Sequence, residues 1–205
     1  MRIAILVEGK TETAFKPHLV KYLETRLEGR MPRLDFVPHH GRIPTEGKLR
    51  RVVENLLQPG KSQADDVIAL TDVYTGITMF PTAQAAKDKM RAWVGDEPRF
   101  HPHVALHDFE AWLLPYWDRI KELTGSNRQR SPWPHPERVN HGNSPAYRLA
   151  EVFSAGPKTK TDGYIKTRDA GRILKDQDLA VAIGVCPELK SFVNTILTLG
   201  GAKPL

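Results

Sequence analysis

Ile3-Ala4-Ile5-Leu6-Val7-Glu8-Gly9-Lys10-Thr11-Glu12 decides the fold, because an apolar run stops abruptly on an acid and a glycine. A run this rich in Ile, Leu and Val reads as a strand buried on both faces, as in a parallel sheet covered by helices. Glu8 then stands at the carboxyl end of the strand, the side on which open α/β sheets bind ligands. A carboxylate placed there, before a glycine and a polar helix start, is positioned for chemistry; its plainer role is to solvate the strand end. Gly9-Lys10-Thr11 also spells the end of a phosphate-binding loop, but that motif needs a glycine where this chain has Ala4. ATP binding at this turn is rejected, because the intervening residues lie inside the strand.

Outward from this strand, Phe15, Leu19, Tyr22, Leu23 and Leu27 recur at helical spacing, with Thr11 as the expected N-cap. Arg33 to Val37 reads as a second strand and Gly47 to Leu57 as a helix ended by Pro59-Gly60. The third strand, Asp66 to Thr71, is again apolar and again ends on an acid, Asp72. A helix over Ala83 to Val94 and a strand over Phe100 to His107 continue the alternation. The expected class is α/β, a mainly parallel sheet of about four strands flanked by helices, occupying residues 1–122. His107-Asp108-Phe109-Glu110-Ala111-Trp112 is predicted to open a helix with an acidic first turn.

Residues 123–205 are expected to form a loop and helical extension packing on that core. Thr124 to Pro157 is rich in Pro, Asn, Gly and Ser, and so long an irregular stretch is usually functional or disordered. Short helices are expected around Pro145 to Phe153, Arg168 to Lys175 and Glu188 to Leu199.

Lys and Arg outnumber Asp and Glu by 30 to 24 in the 205 residues, a formal charge of +6 that suits an anionic partner such as nucleic acid or, equally, a solvated basic face. A single cysteine, Cys186, excludes an internal disulfide, and no Cys/His spacing resembles a zinc site. No apolar run approaches the length of a membrane span, so no membrane association and a cytoplasmic location are expected. Oligomeric state stays open, because the apolar helix from Phe192 to Leu199 suits an interface as well as a core.

Strands in a sheet lie about 5 Å apart, so Glu8 and Asp72 on neighbouring strands could share a hard divalent cation, which takes oxygen ligands. Such a metal activates water and stabilises charge on a phosphate. Glu12 could position water from the first helical turn, or serve there only as an acid favoured by the helix dipole. Glu110 has the same two readings and could complete the metal set. His101, His103 and His107 spread too far along a strand to bind one ion; the first two are expected at the surface or edge, and His107 is kept as an acid or base. Lys10, Tyr74, His107, Arg148 and Tyr164 are substrate-binding candidates, and Lys166 is a catalytic candidate beside Glu8, Glu12, Asp72 and Glu110, while Lys158 and Lys160 suit a solvated face equally. Trp93, Trp112 and Trp117 read as packing, and Trp133, among prolines, as a possible stacking platform for a base.

A strand ending in Val7-Glu8-Gly9, with Lys10-Thr11-Glu12 next and a later apolar strand ending in Asp72, resembles the Toprim fold of topoisomerases, primases and overcoming-lysogenisation-defect (OLD) nucleases. In that family a glutamate and an Asp-x-Asp pair organise magnesium for phosphodiester chemistry. The resemblance assigns the glutamate to Glu8 and the first aspartate to Asp72, and Tyr74 stands where the second aspartate is expected. The ordered segments Asp72-Val73-Tyr74, His107-Asp108-Phe109-Glu110-Ala111-Trp112-Leu113, Pro136-Glu137-Arg138-Val139-Asn140, Ser144-Pro145-Ala146-Tyr147-Arg148-Leu149, Lys166-Thr167 and Cys186-Pro187 are similar to a Toprim-like bacterial family of unknown function. Members are often encoded beside an AAA or SMC-like ATPase in phage-defence settings. The resemblance implies a magnesium- or manganese-dependent nuclease or phosphotransfer domain acting on nucleic acid, with an ATPase as a partner. The alternative is a non-catalytic Toprim-like module that binds nucleic acid or the ATPase.

Overall fold

The alternation of apolar runs and amphipathic stretches becomes, in the computed structural model, one parallel sheet with helices on both faces. The structure describes residues 1–73, 80–139 and 142–205, and of Lys10 the backbone. The strands are β1 (Arg2–Val7), β2 (Arg33–Pro38), β3 (Asp66–Asp72) and β4 (Phe100–Ala105), in the order β2-β1-β3-β4. Every pair is parallel, with Ile5 beside Phe36 and Ile68, and Asp72 beside Ala105. The two prolines in the sheet, Pro38 and Pro102, lie on its edge strands, where a missing N–H is tolerated.

Strand side chains alternate between faces, and that period divides the core. Ile3, Ile5, Val7, Ile68 and Leu70 pack under α1 (Lys10–Leu27) and the C-terminal helices, while Ala4, Leu6, Val67, Ala69 and Val104 pack under α2 (Glu46–Leu57) and α3 (Ala83–Val94). Among the described residues beyond β4 come a four-residue 3-10 turn at Phe109–Trp112, a shorter one at Pro136–Arg138, and five helices: α4 (Trp117–Thr124), α5 (Pro145–Ala155), α6 (Lys166–Leu174), α7 (Leu179–Val185) and α8 (Pro187–Leu199). Residues from both 1–122 and 123–205 share the cluster under α1. Lys87 of α3 and Glu188 of α8 meet at 2.5 Å, joining helices that both pack on the edge strand β4. Among the described residues no single helix is long and apolar enough to cross a membrane, and α7 meets α8 at a bend of 118°.

Several expectations are corrected. β4 ends at Ala105, not His107, and the helix expected at His107 is only the 3-10 turn. Phe109 and Trp112 drive that outcome by inserting together into an aromatic group with Phe15 and Phe192, which anchors the turn on the core. Gly9, in extended backbone, takes the N-cap position expected for Thr11. Helices α4 and α7 escaped the sequence reading, both being short. His103 lies on the edge strand β4, as one of its two readings had it, yet its side chain is buried under α8: its Nε2 lies 3.0 Å from Thr195 Oγ1, and burial pushes its pKa down to about 3.

Candidate active site

The chain leaves β1 to opposite sides, first to β2 and then across to β3, so the sheet has its switch point between β1 and β3. In open α/β sheets the crevice at the carboxyl ends beside such a point receives ligands. Glu8 and Asp72 occupy this crevice. Thr71 donates its hydroxyl to Glu8 Oε1, and the Asp72 backbone N–H donates to the same oxygen at 3.0 Å. Burial raises the Glu8 carboxyl above its ordinary range even though these two donors, and Arg42 at longer reach, favour the ionised form.

Asp72 is pushed well above its usual range by burial first and then by Glu8, Asp108, Glu12 and Glu110. Its Oδ1 accepts the Phe109 N–H at 3.1 Å, which ties the strand end to the 3-10 turn. The anchoring of Phe109 and Trp112 leaves Glu110 between them aimed at the C-terminal half. Glu110 is 1% exposed, and burial together with Asp108 lifts its pKa to about 7. Lys166 Nζ lies 3.3 and 3.4 Å from its two oxygens, and the Tyr164 hydroxyl donates to Oε1 at 3.4 Å. These contacts are looser than the roughly 2.7–2.9 Å of a tight charge-assisted bond. Burial lowers the Lys166 pKa, but Glu110 and Asp108 outweigh it and hold the ammonium charged, while burial and Glu110 push the Tyr164 phenol up.

Glu12 is buried beside the same group. Burial raises its carboxyl, opposed by the N–H groups of the helix start, including Gly9, and by Lys166. It stands in the first turn of α1, as a helix-start acid does, and its charge also reaches Asp72. His107 is buried at the end of the link from β4. Arg148 goes elsewhere: it pairs with Glu151 at 2.8 Å and lines a separate cleft on α5. Tyr74 lies outside the described residues, as does the Lys10 side chain.

Three contributors escaped the sequence reading. Asp108 is 1% exposed and accepts the Ala146 N–H through Oδ2 at 3.2 Å, pinning the start of α5 to the crevice. Its signal was an acid embedded in an aromatic motif. Thr71, a hydroxyl at the end of an apolar strand, orients Glu8. Glu137 accepts the Trp112 indole N–H at 3.0 Å and the Glu188 N–H at 2.9 Å, capping α8 from outside the helix and locking the turn that carries Glu110.

Glu8 and Asp72 are the carboxylates that could hold a cation at the switch point, with Glu110 and Glu12 within electrostatic reach. The donor set is made of hard oxygens, and buried acids that raise one another's pKa fit a site whose charge balance improves with a cation. Among the described residues no three His, Cys, Asp or Glu side chains converge as a closed metal centre. Glu110 therefore does not join Glu8 and Asp72 as a third direct ligand, contrary to the expectation that it completes the metal set.

The fold and crevice define a class, an α/β parallel sheet with paired strand-end carboxylates at its switch point. Residues 7–197 match the family described as a domain of unknown function, DUF4276, and the chain belongs to that family. No curated protein matches it in sequence. Among solved structures it is similar to the C-terminal region of the Burkholderia pseudomallei OLD protein, at 16% identity and a TM-score of 0.54, over 97% of this chain and 98% of that one. It is also similar to the C-terminal region of the Xanthomonas campestris pv. campestris OLD protein, at 15% identity and a TM-score of 0.49, over 98% and 96% of the two chains. The Burkholderia likeness is one of fold, and it accords with the α/β class expected from the sequence.

Proposed function

We propose that this chain is a magnesium- or manganese-dependent phosphodiesterase domain acting on nucleic acid, as the effector of an ATPase partner in phage defence. What supports this above all is the Glu8 carboxylate seated on the backbone of Asp72 at the switch point, amid buried acids that raise the pKa of Asp72. The Toprim resemblance and the +6 charge point the same way. Glu8 and Asp72 would hold the cation, with Glu110 or Glu12 reaching it through water; when bound, it supplies polarisation of a phosphodiester and of an attacking water. Lys166, whose side chain is half exposed where it pairs with Glu110, would meet a phosphate oxygen. Glu110, titrating near 7, can hold or release a proton at working pH.

A second reading keeps the binding and drops the catalysis. Tyr74 in place of the second aspartate favours it. Incubating the purified protein with single- and double-stranded DNA and RNA, with and without manganese, separates the two. Metal-dependent cleavage that Glu8→Ala and Asp72→Ala each reduce by at least about a hundredfold is expected. Cleavage that survives both substitutions, or nucleic-acid binding with no cleavage under any metal, would overturn the catalytic reading.

A further inference from the structure

Outside the crevice, α5 turns one helical stripe, Arg148, Glu151, Val152 and Ala155, toward a cleft of about 730 Å³. The opposite wall is the loop after α4, with Asn127, Arg128 and Trp133, and the buried Trp117 is also in the lining. The two indoles meet edge to face, with centroids 5.9 Å apart at 85°. Trp117 donates its indole N–H to the Arg128 carbonyl at 3.2 Å, which fixes the loop where its arginine lines the cleft. Gly156 closes the far end. A Cβ there would lie 2.5 Å from the Thr124 carbonyl, so only glycine lets α5 end so close to α4.

We infer that this cleft holds one segment of a single-stranded nucleic acid, a base stacked on Trp133 and its phosphates on Arg128 and Arg148. The inference rests on the nucleic-acid reading above and adds the strandedness and the path. Three observations favour that occupant. The half-buried aromatic surface of Trp133 is the feature that sequence-tolerant single-strand binders share, since every base has a stacking face. Two arginines outnumber the one acid, Glu151, whose pair with Arg148 is partly exposed and weak enough for a phosphate to compete. One helix serves both places: α5 is pinned at Ala146 to Asp108 of the acidic group, and its stripe from Arg148 to Ala155 then runs about 10 Å along the cleft at 1.5 Å per residue. A duplex offers its bases no such access, because they are stacked inside it.

Fluorescence anisotropy in EDTA, with a labelled oligothymidylate of about twelve nucleotides and a duplex of equal length, tests this apart from cleavage. The strand is expected to bind more tightly than the duplex. Trp133→Ala should weaken strand binding about tenfold or more. Because Trp133 also packs on Trp117, a second variant carrying Arg128→Ala and Arg148→Ala keeps the test independent of folding. It should weaken binding and lower the salt slope by about 1.4, two phosphate contacts on a single strand. Wild-type affinity in both variants, a preference for duplex, or a mononucleotide binding as tightly as the strand would overturn the inference. If those results accompany intact metal-dependent cleavage, the cleft assignment fails alone. A wild-type protein that neither binds nor cleaves nucleic acid overturns both.

Discussion

Glu8 and Asp72 show how two residues far apart in sequence become one site, since a single carboxylate oxygen of Glu8 accepts both the hydroxyl of Thr71 and the N–H of Asp72. Calorimetry with manganese should therefore find binding largely abolished in Asp72→Ala, whereas Glu12→Gln should weaken it by about ten- to a hundredfold, as expected of an acid that acts through water. Unchanged affinity in Asp72→Ala would remove Asp72 from the metal. The pH dependence has a definite sign. Glu110 is raised from 4.5 to about 7, so the native state holds its proton in a range where the unfolded chain has lost it. Stability in metal-free buffer should therefore fall as pH rises from about 4.5 to about 7. Urea titrations across that window should show the fall in wild type and a smaller one in Glu110→Gln. Both strand-end acids were legible in the sequence because a strand that stops on a carboxylate is a local pattern. Asp108 was not, because burial within an aromatic turn depends on what packs over it.

At the scale of elements, the crevice is assembled by anchors that carry no chemistry themselves. Glu137 satisfies the Trp112 indole N–H and the first backbone N–H groups of α8 at once. Glu137→Ala leaves those buried donors unpaired and should cost about 2–3 kcal/mol in urea unfolding, with the midpoint shifted and the slope unchanged. A change below about 0.5 kcal/mol would mean that water replaces the carboxylate there. Asp169 plays the corresponding part for α6. Burial alone would raise its carboxyl, but Arg168, the Ile165 N–H and Arg172 outweigh it and lower the pKa below its ordinary 3.8. Its contribution to stability should be complete above about pH 4 and lost as pH falls through the folded value. Asp169→Asn should flatten that acid limb. The long helices and all four strands were readable from period and punctuation. The 3-10 turn was not, since its first-turn acids mimic a helix start while the anchoring of Phe109 and Trp112 ends it after four residues.

For the molecule as a whole, the proposed function requires nucleic-acid binding by a chain of charge +6, and such binding should weaken steeply with salt. Lys166→Ala should weaken it to a similar degree for all sequences and reduce the salt slope by about 0.7–0.9, one phosphate contact fewer. An unchanged slope would place Lys166 at the crevice only as the partner of Glu110. By itself the sequence determined the α/β class, the strands and the acids that end two of them, because each is written in a run of a few consecutive residues. Only the tertiary structure decided the strand order that makes β1 and β3 neighbours, the gathering of Asp108, Glu110, Tyr164 and Lys166, and the turning of Arg148 toward the tryptophan cleft. Those outcomes depend on contacts between segments tens of residues apart, and such contacts are chosen by which buried faces pack together, not by the local pattern of either segment.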